Sequence, residues 1–400
     1  MRLKIRTLSV ITLFIAFGLA IIKYNFSPAT ELSSNKENNM FFTASLNPVT
    51  IETIKQKYPE YAYTAELLQK LGKSPDYIEK SLSFAKAAFL TLDPFFLGKV
   101  YSPEKDIGYS EEVKANNFEV LKFLIAQQFT TAAKQADPVY TVYPGAPGAG
   151  EPFHLERDFE IDVMKNKFPH NQVIVGPDLV VMTQMQTYRA ACALPEGQAR
   201  TEALIKAYSD ARDFSNGATN LMLVMALIER LNVIHDCTMT NPIAGQLLDA
   251  IKAQGYKVHG KVFLADKDSR IGGLIARQNK YDGFALATPK DTADKGTLSF
   301  EKIADRTYEI NNRFDVLSVY VQPEEFFAGK PPVEIARLDP ASGKVCAIPE
   351  GKAELDRLLS KLELENLRSE VKQSFTKVMQ EWQASKPVVA TKSTVRMDTV

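Results

Sequence analysis

A chain of 400 residues that is 45% hydrophobic and 24% charged has the composition of a folded globular protein, long enough for a main domain with extensions. Its 48 basic and 48 acidic residues cancel, which argues against a dedicated nucleic-acid binder, because neutralising phosphates needs an excess of Lys and Arg. Three widely spaced cysteines (Cys192, Cys237 and Cys346) and four histidines in no paired motif provide no zinc-ligand pattern, so no metal site is expected; the odd count also excludes a fully paired disulfide framework.

Taken from the start, Arg2, Lys4 and Arg6 precede an apolar run over 8–22. A basic start before such a run is the pattern of a secretory signal or signal anchor over 1–22, although the run is shorter than the roughly 20 residues of a comfortable membrane span. By the positive-inside tendency the remainder is expected on the extracytoplasmic side, membrane-anchored or exported. Polar residues over 27–39 make 23–42 a flexible linker. From 43 to 135 the pattern is helical, with apolar residues at three- and four-residue spacing over 61–71 and 78–89. Turn signals at Lys73-Ser74-Pro75 and Ser102-Pro103 divide this extension.

The character then changes. A β-branched and aromatic run, 139–143, leads straight into a glycine-rich turn, and further short apolar runs follow at 173–175, 233–234, 258–264 and 316–321. Helical patterns at 221–231 and 244–254 separate them. This alternation predicts an α/β domain over 136–345, with a doubly wound, mostly parallel sheet flanked by helices. Within 346–400, a charged amphipathic helix over 353–382 either packs on the body or pairs with a protein partner, and a polar tail follows.

The turn reads Tyr143-Pro-Gly-Ala-Pro-Gly-Ala-Gly-Glu-Pro152. Gly145 and Gly150 stand at the glycines of the phosphate-loop pattern G-x-x-x-x-G-K-[ST], with Gly148 between them, and a strand precedes the loop as the pattern requires. In a working loop the amides surround the phosphates, the lysine neutralises them and the hydroxyl binds Mg²⁺. Here the lysine position is Glu151 and the hydroxyl position Pro152. A like-charge pair at about 4 Å costs roughly 1 kcal/mol in water and about 4 at an effective dielectric of 20. Proline removes both an N–H donor and the metal-binding oxygen. A loop can keep its shape and lose its chemistry in this way.

Four segments follow in order: Val173-Ile-Val-Gly-Pro-Asp178, Leu231-Asn-Val-Ile-His-Asp-Cys-Thr-Met-Thr-Asn241, Ala253-Gln-Gly-Tyr-Lys-Val258 and Ser269-Arg-Ile-Gly-Gly-Leu-Ile-Ala-Arg277. Their order resembles the zeta-toxin family of P-loop kinases over roughly 138–340. The resemblance implies a P-loop kinase-like fold in which Asp178 activates the substrate hydroxyl. It implies that Asp236 and Thr238 contact substrate, that Arg270 and Arg277 contact the transferring phosphate, and that Gly145, Gly148, Gly150 and Glu151 form the nucleotide site. ATP and Mg²⁺ would be the cofactors, and a nucleotide sugar such as UDP-N-acetylglucosamine the acceptor. Phe284 departs from the family, many of whose members carry a polar or basic residue there.

From the residues themselves, Asp178 serves either as a base at a strand end or as a helix cap. His235 reads as a satisfied, partly buried histidine. Arg277 reads as better placed than Arg270, because Leu274 and Ile275 mark a packed helix. Two functions follow. A degenerate relative that binds a ligand or a protein partner is favoured by Glu151 and Pro152, and by an export signal that places the chain where ATP is scarce. The alternative is an active ATP-dependent kinase, which needs another cation such as Arg157 to reach the phosphates.

Overall fold

Seven short strands rich in Val, Ile and Tyr pair into one sheet. In chain order they are β1 (Val139–Tyr143), β2 (Gln172–Val175), β3 (Asn232–Asp236), β4 (Lys257–Leu264), β5 (Val316–Val321), β6 (Val333–Asp339) and β7 (Lys344–Ala347). The computed structural model describes residues 49–96, 110–150, 154–155, 159, 167–184, 190–191, 193–195, 197–280, 300–323, 330–339 and 341–361. The 1–22 and 23–42 segments, Glu151, Pro152, Arg157, Cys192, Phe284 and the C-terminal helix beyond residue 361 lie outside the described residues.

The sheet order is β2-β3-β1-β4-β5-β6-β7; the first five strands are parallel, and β6 and β7 are antiparallel additions. After β1 the chain runs to the edge at β2, returns to β3, then passes to the other side of β1 to form β4. The order therefore reverses around β1, and the carboxyl ends of β1, β3 and β4 open the crevice in which such sheets bind ligands. This is a P-loop kinase-like α/β fold, and the motif segments fall on β2, β3, β4 and the helix after β4 in the predicted order. The β6–β7 hairpin was not expected, and it carries the sheet to Ala347, past the boundary drawn at 345.

The helices before the sheet are α1 (Ile51–Lys57), α2 (Ala62–Lys70), α3 (Pro75–Ala87), α4 (Asp93–Phe96) and α5 (Glu111–Phe129). The turn signal at Lys73-Ser74-Pro75 is a helix start: the Tyr77 amide donates to the Ser74 hydroxyl (3.3 Å), and Pro75 takes the first helical position. After β2 come α6 (Pro177–Gln184) and α7 (Gln198–Ile228), after β3 comes α8 (Ala244–Ala253), and after β4 come α9 (Lys267–Lys280) and α10 (Phe300–Ile310). At 31 residues, α7 is far longer than the pattern read at 221–231. Residues 221–227 are buried without a break, and α7 packs against α3, α4 and α5, with Gly217 close against Phe95 and Phe96 of α4. It joins the first helices to the sheet. The C-terminal α11 (Lys352–Ser360) buries Leu355 and Leu358 against β5 and β6, which fits the packing reading for this part of the helix.

Candidate functional site

β1 delivers the chain into the glycine loop beside β4: Gly145 bridges Phe263, whose amide donates to the Pro144 carbonyl (2.8 Å). Within the loop the Ala149 amide donates to the Ala146 carbonyl (2.8 Å). Gly148 has φ +89° and lies backbone to backbone on α9. A Cβ on Gly148 would fall 2.3 Å from the Arg270 carbonyl oxygen, and one on Gly273 would fall 2.1 Å from that of Gly148. No side chain fits between the two.

The loop's carbonyls are tethered from behind. Arg270, 2% exposed, donates from Nε to the Pro147 carbonyl (3.2 Å). With its amide assigned so that the nitrogen rather than the oxygen faces the loop, the buried Gln322 donates to the carbonyls of Ala149 (2.8 Å) and Gly148 (3.3 Å). Asp266 accepts from the Ser269 amide and hydroxyl (3.0 Å each) and from Arg357 Nη1 of α11 (2.8 Å). Arg357 Nη2 also donates to the Gln322 carbonyl (2.8 Å). Burial alone would raise the Asp266 carboxyl, but the Ser269 and Arg357 hydrogen bonds outweigh it and hold it below the usual carboxylate range.

These contacts test whether the loop suits a triphosphate. A phosphate cradle works through converging backbone amides. Pro144 and Pro147 carry no N–H, the Ala149 amide is used inside the loop, and the loop's carbonyls bind Arg270 and Gln322. Pro147 and the engaged Ala149 amide leave the described loop fewer amides to turn toward a phosphate.

A cavity of about 620 Å³ opens over the carboxyl ends of the strands. Gly145, Gly148, Gly150, Asp178, Asp236 and Thr238 all line it, so the structure brings these expected site residues together. Asp236 ends β3 in register with Tyr143, beside the loop. Thr238 follows in the next turn, its hydroxyl 2.9 Å from that of Thr240. Asp178 sits in the first turn of α6, and Arg212 Nη1 of α7 donates to its Oδ1 (3.1 Å), holding the carboxylate at the cavity wall. Arg270 does not line the cavity; it packs under the loop. Arg277 lies on α9 with a side chain outside the description, and the packing expected of its neighbours holds for Leu274 (6% exposed) but not for Ile275 (46%).

His235 is buried, as read from the sequence, with Nδ1 2.6 Å from the Tyr140 hydroxyl, and it also lines the cavity. Burial pushes its pKa down to about 4, so the ring is neutral at pH 7. Among the wall residues missed from sequence are Phe89, just past α3, and Arg212, Asn216, Thr219 and Asn220 of α7. The signal of the α7 group was a polar stripe at helical spacing, and it belongs to no motif. Arg306 of α10 positions the facing loop by donating to the carbonyls of Asn241 (3.0 Å) and Pro242 (2.6 Å). Among the described residues, no group of three or more His, Cys, Asp or Glu side chains could hold a metal ion.

No family model and no curated protein matches the chain. Among solved structures it is similar to one from the PezAT chromosomal toxin–antitoxin system of Streptococcus pneumoniae (14% identity, TM-score 0.43, covering 68% of this chain and 96% of that one). It is also similar to the AvrRxo1-ORF1:AvrRxo1-ORF2 complex with sulphate ions (9% identity, TM-score 0.41, 72% and 91% covered). The same complex with ATP gives 9% identity, a TM-score of 0.40, and 69% and 86% covered.

Proposed function

We propose that this protein is a zeta-toxin-like relative whose phosphate loop has become structural, and that it binds a polar ligand in the cavity without transferring a phosphoryl group. The supporting observation is the loop's shortage of amides: Pro147 carries no N–H, and the Ala149 amide is used internally. The sequence adds Glu151 and Pro152 where lysine and a hydroxyl would act. Asp178 and Arg212, a carboxylate and a guanidinium 3.1 Å apart in the wall, supply an acceptor and a donor for the ligand. With Mg²⁺-ATP supplied, the wild-type chain is expected to hydrolyse no more ATP than Asp178→Asn does. Turnover that Asp178→Asn abolishes would overturn the proposal.

One observation favours a second reading. Asp178, Asp236, Thr238 and the loop glycines share a single cavity, as an active kinase acting on a sugar hydroxyl of a nucleotide sugar such as UDP-N-acetylglucosamine would require. In that reading Asp178 takes the proton of the acceptor hydroxyl.

We also propose that residues 1–22 export or anchor the chain, so that the body lies outside the cytoplasm, where a protein partner could meet the C-terminal helix. No helix among the described residues is long and apolar enough to cross a membrane. Protease added to intact cells is expected to digest the body. Digestion only after lysis would rule the location out.

A further inference from the structure

We infer that the cavity takes an α-amino acid with a large apolar side chain, its ammonium group held by Asp178 and its carboxylate by Arg212. This rests on the reading of the cavity as a ligand site, and it adds the class of ligand and the residues that select it. Arg212 Nη1 donates to Asp178 Oδ1 (3.1 Å), and the two side chains are 36% and 21% exposed in the cavity wall. An ion pair as open as this contributes little to folding, so stability does not explain its place in a cavity. One hydrogen bond also uses little of what the pair offers, since a guanidinium carries several N–H donors and a carboxylate several lone pairs.

The charges of the pair choose the head of the ligand. A ligand that is anionic throughout is attracted by Arg212 and repelled by Asp178, and a purely cationic one meets the reverse. A molecule that carries both charges on one carbon satisfies both. Its ammonium, a donor only, suits the Asp178 carboxylate, and its carboxylate, an acceptor only, suits the planar guanidinium of Arg212. The pair is held for this: Asp178 stands in the first turn of α6, Arg212 on α7, and the two helices pack directly on each other.

The wall away from the pair chooses the side chain. Asn220 follows Arg212 by eight residues, roughly 12 Å along α7. Its Nδ2 donates to the Thr91 carbonyl (3.0 Å), and the Tyr61 hydroxyl donates to that of Leu90 (2.8 Å), which fixes the segment that brings Phe89, Leu90 and Phe95 to the wall. Phe89 ends α3 with a left-handed backbone (φ +55°), a conformation that glycine takes without strain and a bulky residue does not. Its side chain is nonetheless 61% exposed on the cavity wall, the most exposed of the large hydrophobic side chains among the described residues. Strain kept for an open aromatic ring points to a use in binding. The apolar part of the ligand therefore lies several ångströms from its charged head, within reach of a phenylalanine side chain and beyond the methyl group of alanine.

Calorimetry and saturation-transfer NMR on the full chain would test this with four probes: L-phenylalanine, L-alanine, L-phenylalaninamide and N-acetyl-L-phenylalanine. The wild type is expected to bind phenylalanine with a Kd below about 1 mM, and each of the other three on the order of ten-fold more weakly. Arg212→Gln should erase the preference for phenylalanine over its amide, and Asp178→Asn the preference over the N-acetyl form. A merely structural role would lower all affinities together instead of removing one preference at a time. Phe89→Ala should narrow the gap between phenylalanine and alanine several-fold; a gap left intact overturns the part given to Phe89. Should either charge variant fail to fold, the wild-type ratios across the four probes still decide. An amide or N-acetyl form that binds the wild type as tightly as phenylalanine overturns the assignment of the head. No phenylalanine binding by the wild type overturns the inference as a whole. The cavity reading fails by a different sign, ATP turnover that Asp178→Asn abolishes, so the two failures are distinct.

Discussion

Asp266→Ala is expected to cost about 3–5 kcal/mol of folding free energy at pH 7, the loss typical of breaking a buried, hydrogen-bonded ion pair from one side. Asp266 is 2% exposed, and the Arg357 side chain that it binds is 20% exposed. Removing the carboxylate leaves that guanidinium largely desolvated opposite a methyl group and strips the first turn of α9 of its acceptor for the Ser269 amide. The damage should spread, because Arg357 also holds the Gln322 carbonyl, and Gln322 holds the loop. Asp266→Asn keeps an acceptor for Ser269 and should cost less. The pH dependence has a definite sign. A carboxyl whose folded pKa is depressed contributes fully above its unfolded value, near 3.9, and loses that contribution as pH falls through the lower folded value. The gap between wild type and Asp266→Ala should therefore stay constant near neutrality and close only in strong acid. Urea unfolding at pH 7 and at pH 3 reads both; a gap below about 1 kcal/mol at pH 7 would refute the strap from α11 to the loop.

Gly273→Ala should destabilise by about 3 kcal/mol or force α9 away from the loop. Its Cβ would stand 2.1 Å from the Gly148 carbonyl oxygen and 2.9 Å from the carbonyl carbon, both backbone atoms that no rotamer change can move. The sign makes this informative. In an exposed helix interior, alanine in place of glycine stabilises by up to about 1 kcal/mol. A raised Tm for Gly273→Ala would mean that the loop and α9 do not touch as described. A lowered Tm, with faster hydrogen exchange across 263–275, would support the contact.

The strands nearest the loop were the most legible part. β1 carries only β-branched and aromatic residues, β5 is interrupted only by Leu317 and Ser318, and both spans match the apolar runs. The β6–β7 hairpin was missed because Glu334, Arg337 and Asp339 break its apolar pattern on an antiparallel edge open to water. The length of α7 escaped because the described buried positions before residue 221 are mostly small, such as Ala207, Ala211, Gly217 and Ala218, with Leu204 and Phe214 too far apart to mark an apolar stripe. At the site, the family resemblance named Asp178, Asp236 and Thr238, and they share one cavity because they lie at or just beyond strand ends, where topology brings residues together. Arg212 comes from a helix that carries no motif. Phe89 was hidden because a left-handed backbone at a helix end does not show in the residue type when the residue is not glycine.

Titration of the intact wild-type chain with Mg²⁺-ATP by calorimetry tests the central claim most directly, because it measures the phosphate loop itself. A loop with proline in place of one amide, another amide used internally, and Glu151 and Pro152 at the lysine and hydroxyl positions should give no binding tighter than a Kd of about 1 mM, roughly −4 kcal/mol. Saturable binding with a Kd of about 1–10 μM would show that the loop still receives the phosphates, and would contradict the account.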